Sequence, residues 1–264
     1  KYYQYCIDQG FNDHRIFSNY GLILKDFGRQ QEAEKLTLKA IELKPDYAEA
    51  HSNLGIILRS LGKLQEAELS IRKAIELNPT FAEAHSNLGN ILSDLGKVQE
   101  AELSIRKAIE LNPTFAEARW NLYALSNNVE EAEERINQCL RINENYLTAK
   151  LTLSALKIHK GNQSLFNKFT ESSLKDHPYI RSIKWVLSLP NLPELFFHRW
   201  GLFDHVINKS KRNRPFYEFG VWRGVSFRYL IDSFKKGYGF DTFEGLPEDW
   251  HNEKKGTYSA DGTI

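Results

Sequence analysis

Residues 47–80 and 81–114 are nearly one 34-residue sequence written twice: YAEAHSNLGIILRSLGKLQEAELSIRKAIELNPT, then FAEAHSNLGNILSDLGKVQEAELSIRKAIELNPT, with five mismatches. A unit this short cannot bury its apolar face alone. Consecutive copies must stack side by side to close a continuous core, so the period predicts a helical solenoid.

Within each unit two helical stretches flank a glycine turn, and the apolar positions recur at helical spacing. In the second unit Leu54, Gly55 and Leu58 share one helix, Ala67, Ile71 and Ala74 share the next, and Pro79 closes the unit. Small residues let antiparallel helices approach closely, proline stops the second helix, and Gly62 supplies the turn between them. These residues resemble the tetratricopeptide repeat, and Leu88, Gly89, Leu92, Ala101, Ile105, Ala108 and Pro113 repeat the match in the third unit. The first unit, residues 13–46, matches through Tyr20, Gly21, Leu24, Ala33, Ala40 and Pro45, with Thr37 where an apolar residue is usual. The fourth, residues 115–145, keeps Leu122, Ala132 and Ile136 but has Tyr123 for glycine, Glu144 for proline and a shortened turn, so less regular stacking is expected there. Residues 146–178 read as a degenerate fifth unit, with Ala149, Leu153 and Gly161 in register. Residues 1–12 read as the second helix of a truncated repeat, and the chain as a fragment at its front end.

The 26% charged and 41% hydrophobic residues describe a globular protein, and the formal net charge of +1 supplies no general field toward nucleic acid or membrane. No apolar run approaches the length needed to span a bilayer, and no secretory signal is visible. Cys6 aligns with Ala40, and Cys139 with Ala108 across the three-residue deletion, so both read as core packing in a reducing, cytoplasmic setting.

Asn19, Asn53, Asn87 and Asn121 recur every 34 residues on the first helix of their units. Resemblance to the tetratricopeptide family puts that helix on a concave surface. The His-Ser-Asn-Leu-Gly units further resemble repeats of the O-linked N-acetylglucosamine transferase family, where such a ladder grips peptide. An amide both donates and accepts, so a row of them can hold an extended backbone without reading its side chains; equally, it can bond one helix to the next. His51 and His85 lie beside the ladder, as ligands or as packing. Lys63, Glu66, Glu68, Arg72, Lys73 and Glu76 read as a solvated face with helical ion pairs.

The register disappears between Lys175 and Pro193, and residues 179–214 read as a helical connector, with a helix predicted over Glu194–Lys209. Phe216–Phe219 then reads as a strand ending at Gly220, Val225–Phe234 as a helix and Gly237–Asp241 as a second strand. That order is a crossover unit of a parallel sheet, whose ligands lie at the carboxyl ends of the strands. Glycine at 220 permits close approach of backbone to ligand, and Asp241 can accept the hydroxyls of a ribose.

Glu218-Phe-Gly-Val-Trp-Arg-Gly224 resembles the first motif of class I S-adenosylmethionine methyltransferases. With Asp241-Thr-Phe-Glu-Gly-Leu-Pro247 and Lys255-Gly-Thr-Tyr258 it is similar to the macrocin O-methyltransferase group, which methylates sugar and other small-molecule hydroxyls. The resemblance implies that Glu218, Gly220 and Gly224 cradle the methionine side of S-adenosylmethionine, that Asp241 binds its ribose and that Phe243 flanks its adenosine. It also implies a divalent metal, held by residues beyond 264, and a catalytic base there or among Glu248, Asp249 and His251. The expected fold is thus mostly α: a tetratricopeptide-repeat superhelical solenoid followed, over residues 215–264, by a truncated α/β Rossmann-like methyltransferase segment. The fragment is expected to be inactive alone. The expected partners are a protein or extended peptide and a small-molecule hydroxyl acceptor, with no nucleic acid and no membrane. The alternative is a non-catalytic interaction scaffold.

Overall fold

The computed structural model describes residues 2–219, 229–234 and 236–240. The chain divides into two compact units: residues up to Leu77 together with the described residues from Trp200 onward, and residues Asn78–Arg199.

In the first unit, α1 (Tyr2–Asp8), α2 (His14–Asp26), α3 (Gln30–Leu43), α4 (Ala48–Ser60) and α5 (Leu64–Leu77) follow one another as helical hairpins. Asp13 starts α2, its carboxylate accepting the Arg15 backbone N–H at 2.9 Å, as an N-cap must. The hairpin turns fall at glycines: Gly28 and Gly62 have φ of +75° and +72°, a left-handed conformation that side chains other than glycine's resist. Leu24, Ala33, Ile57 and Leu61 form one core cluster and Phe17, Ala40 and Ala50 another, each joining neighbouring repeats. Thr37, at a position usually apolar, is fully buried because its hydroxyl donates back to the Ala33 carbonyl at 2.8 Å.

In the second unit the same design continues through α6 (Ala82–Asp94), α7 (Val98–Leu111), α8 (Ala116–Tyr123), α9 (Val129–Ile142), α10 (Leu147–His159), α11 (Ser164–Thr170) and α12 (Pro178–Leu187). Asn78 opens it with a side-chain turn, its Oδ1 accepting the Thr80 N–H at 3.2 Å and hydroxyl at 3.0 Å, and Asn112 repeats this with Thr114. Cys139 is fully buried in the cluster of Ala132, Ile136, Ala149, Leu153 and Leu156, whereas Cys6 is only half-buried. The three-residue deletion shows as a first helix of 8 residues in α8 against 13 in α6. The buried Arg135 guanidinium closes the shortened turn, donating to the Leu122 carbonyl and to Glu102 at 2.7 Å each and to Glu131 as well. Leu151, Ile158, Phe166 and Ile180 then pack α12, entered through Pro178, onto the degenerate fifth unit.

The next helix, α13, spans Arg199–Lys209, not the predicted Glu194–Lys209, and residues 229–231 are helical as well. Residues 188–198 before it form neither helix nor strand, for a reason that lies in the contacts of Phe197 and Arg199 described below. In the first unit Trp200 and Phe203 of α13 hold the Tyr229 ring at 4.6 and 6.0 Å, and the Tyr229 hydroxyl donates to Asp204 at 2.6 Å. Strands β1 (Phe216–Phe219) and β2 (Gly237–Phe240) pair in parallel, Phe216 opposite Gly237 and Phe219 opposite Phe240. The Phe216 ring lies where a Cβ at position 237 would stand, so any larger residue there would have to push that ring aside.

Candidate functional site

The asparagine positions fall on α2, α4, α6 and α8, the first helix of each repeat. Asn19 is exposed, while Asn53, Asn87 and Asn121 are half-buried. Within the first unit the Asn53 Nδ2 donates to the Ser18 hydroxyl at 2.9 Å; within the second, Asn121 Nδ2 donates to the Ser86 hydroxyl at 3.1 Å. In both pairs the serine lies 35 residues earlier, next to the preceding asparagine, and both serines are buried. Each bond fixes the amide plane with one of its two N–H groups. The Oδ1 and second N–H of Asn53 and Asn121 have no described side-chain partner, so an oriented donor and acceptor stand at two places on the first helices. The expectation considered asparagine alone. The serine that orients it was visible in the repeated His-Ser-Asn but carries no signal until the register pairs it with the next repeat.

The neighbouring histidines have a different role from that of a ligand. His51 Nε2 donates to the Pro45 carbonyl at 2.9 Å and His85 Nε2 to the Pro79 carbonyl at 3.0 Å. Since a carbonyl only accepts, the proton sits on Nε2. In the fourth repeat Arg119 substitutes, donating to the Pro113 carbonyl at 3.1 Å. All three secure the inter-repeat turn. The charged outer positions pair as expected, Arg72 with Glu68 at 2.8 Å and Lys73 with Glu76 at 2.8 Å, and Lys63 reaches Glu34 in the preceding repeat at 2.8 Å.

At α8 the series changes character. Trp120 replaces the serine, and its ring lies 4.8 Å from Tyr123 and 5.6 Å from Tyr146. Phe197, from the segment before α13, meets Tyr123 edge-on at 6.0 Å, and Arg199 reaches Asp94 at the end of α6 at 2.8 Å. Burial pushes the Tyr123 hydroxyl up to about 12 and raises that of Tyr146 as well.

Of the residues matched to the donor loop, Glu218 lies on β1 opposite Gly239, while Gly220, Gly224, Asp241 and Phe243 lie outside the described residues, as do Trp222, Glu248, Asp249 and His251. Among the described residues no group of histidine, cysteine and carboxylate side chains could hold a metal ion, and no helix is long and apolar enough to cross a membrane.

A succession of helical hairpins with glycine turns and small-residue contacts, one repeat after another, defines a helical-repeat protein. Family models of the tetratricopeptide repeat match residues 14–47, 48–81 and 82–115, so these residues are tetratricopeptide repeats. No curated protein matches the chain. Among solved structures, Pseudomonas aeruginosa pilF is similar at 20% identity and a TM-score of 0.56, over 66% of this chain and 90% of that one. A thermophilic tetratricopeptide-repeat protein of Thermus thermophilus gives 20% and 0.56 over 67% of this chain and 100% of its own. Both share the fold. The O-GlcNAc transferase of Thermobaculum terrenum, as its K341M mutant, is 25% identical with a TM-score of 0.46 over 48% of this chain, which spans only 26% of the transferase.

Proposed function

We propose that the repeats are a protein-binding module that holds an extended peptide along its first helices, and that the module is joined to an S-adenosylmethionine-dependent O-methyltransferase acting on a hydroxyl of a sugar or other small molecule. The observation that carries the first part is the serine-oriented asparagine: Asn53 and Asn121 each offer a fixed carbonyl oxygen and N–H. A peptide backbone presents the complementary pair at every residue, so recognition of this kind is independent of side chains. Asn19 and Asn53 in the first unit, and Asn87 and Asn121 in the second, would make such contacts.

A peptide selected on the full chain from a random display library serves as the probe. Each lost amide contact is worth ~1 kcal/mol, so Asn53→Ala with Asn87→Ala should weaken that peptide at least about tenfold in fluorescence anisotropy. Unchanged affinity, with circular dichroism showing the helices intact, would refute the ladder.

The second part is supported by the parallel pairing of β1 and β2, which brings two strand ends, Phe219 and Phe240, side by side. The motif residues Gly220 and Asp241 follow directly in sequence. In this reading Glu218, Gly220 and Gly224 hold the amino-acid end of the donor, Asp241 its ribose and Phe243 its adenine side, which leaves the chain to align donor and acceptor. S-adenosylmethionine supplies a methyl group on a sulfonium. An enzyme of this kind must bind the donor, whereas a scaffold need not. Calorimetry with S-adenosylmethionine, run on the chain together with whatever sequence follows Ile264 in its gene, separates the two; absence of heat supports the scaffold.

A further inference from the structure

We propose that neighbouring first helices α6 and α8 form a docking groove for a peptide carrying an aromatic residue two positions before an arginine, and that Phe197-His198-Arg199 fills this groove in cis. The assignment rests on the peptide-binding function proposed above, and adds to it the chemistry of the occupant.

Four observations converge on it, and the contacts among them lie within the second unit. First, residues 188–198 take no regular structure, although Leu195–Phe197 would continue α13 if nothing held them elsewhere. Phe197 instead packs, beside Trp120 and Tyr123 of α8, against the core cluster that α9 and α10 form, with its ring edge-on to Tyr123. Second, Arg199 Nη2 donates to Asp94 Oδ1 at 2.8 Å, 105 residues away in sequence. Asp94 is the last residue of α6, where a carboxylate opposes the helix dipole, and the cation relieves that conflict. Third, the two near-identical repeats differ at five positions, and three of these, Ile56/Asn90, Arg59/Ser93 and Ser60/Asp94, fall in the last turns of the first helix. The copy that meets Arg199 is thus the one whose helix end has become acidic. Fourth, Pro190 and Pro193 stiffen the approach and remove two backbone donors, which favours an irregular strand over a helix.

The hold is weak by construction. The Arg199 and Asp94 side chains are 49% and 21% exposed, and ion pairs of that kind contribute little. What keeps the segment seated is its covalent tether, which acts as an effective concentration of ~1 mM, so a partner with the same aromatic and arginine, and further contacts along the helices, can displace it.

The probe is a fluorescein-labelled synthetic peptide with the sequence of residues 189–199, and the proteins are full chains. Phe197→Ala with Arg199→Ala empties the groove, so this variant should bind the peptide at least about tenfold tighter than the unaltered chain, whose tethered segment competes. Adding Asp94→Asn to the variant should take back about threefold of that gain. If the double variant does not fold, Arg199→Ala alone, which leaves Phe197 in place and removes the exposed pair with Asp94, should still gain about threefold. Equal affinity for altered and unaltered chains, or binding to neither, overturns the assignment. Such a result leaves the asparagine ladder standing if the display-selected peptide still depends on Asn53 and Asn87.

Discussion

Gly55 sets how closely α4 and α5 approach. A Cβ added there would stand 2.5 Å from Ile71 Cγ1, 2.6 Å from Ile71 Cδ1 and 3.2 Å from the Ala67 carbonyl oxygen. Ile71 has no exposed surface, so its side chain has nowhere to swing, and the carbonyl belongs to a helix backbone that moves only with the whole hairpin. Two effects oppose each other in Gly55→Ala. Alanine gains ~1 kcal/mol of helix propensity over glycine, whereas overpacking of a full core costs ~1–3 kcal/mol. With contacts this short the larger end of the packing cost applies, and the net loss should be about 1–2 kcal/mol. In an Ile71→Ala background, which itself costs ~2–5 kcal/mol, the two closest contacts vanish and only propensity and the carbonyl remain, so Gly55→Ala should become neutral or mildly stabilising. The coupling between the two sites is then ~2–3 kcal/mol. Repeat arrays open locally, so native-state hydrogen exchange of α4 and α5 amides is the appropriate measurement rather than one global transition. Additive effects, or a stabilising Gly55→Ala in the unaltered background, would show that the helices are not packed as tightly as this and refute the reasoning.

Arg135 is 5% exposed and satisfies the Leu122 carbonyl and two glutamates, so Arg135→Ala should cost about 2–4 kcal/mol in urea unfolding; a loss below ~1 kcal/mol would mean the shortened turn closes without it. Glu131, whose carboxylate the Asn127 N–H and the Arg135 charge hold below the usual range, contributes stability above the ordinary carboxylate pKa that is lost as pH falls; Glu131→Gln should flatten the acid limb of the stability curve, and an unchanged limb would deny the contribution. Tyr123, pushed to about 12 by burial against an ordinary value near 10, contributes stability that is whole below pH ~10 and lost as pH rises toward about 12. Phenolate absorbance should show one fewer late-titrating group in Tyr123→Phe, with that of Tyr229, also at about 12 from burial and then the Asp204 bond, retained.

The parts of this molecule legible in its sequence are those in which one residue's role is repeated. Leu54, Gly55, Ala67, Ile71 and Ala74 recur 34 residues later, and a period cannot be mistaken for chance; even the odd Thr37 could be placed, although only the structure shows the Ala33 carbonyl that makes it tolerable. What failed to show were contacts made once. Pro193 looks like a helix start, because proline favours the first turn, yet α13 begins at Arg199. Local propensity lost there to an aromatic cluster and an acidic helix end supplied by residues about 75 and 105 positions away, the pairing of Phe197 with Tyr123 and of Arg199 with Asp94. His51 and His85, chemically versatile residues beside a candidate ladder that the sequence left open as ligands or packing, are bonded to the Pro45 and Pro79 carbonyls. The equivalent Arg119 donates to the Pro113 carbonyl, so three different repeats use the position for the same bond with two kinds of side chain. What the position requires is therefore an N–H of the right reach, and a residue chosen for reach is a poor candidate for chemistry. Asn53 and Asn121 differ in this respect, because their serine partners use only one of the amide hydrogens, and the proposed peptide contacts rest on that remainder.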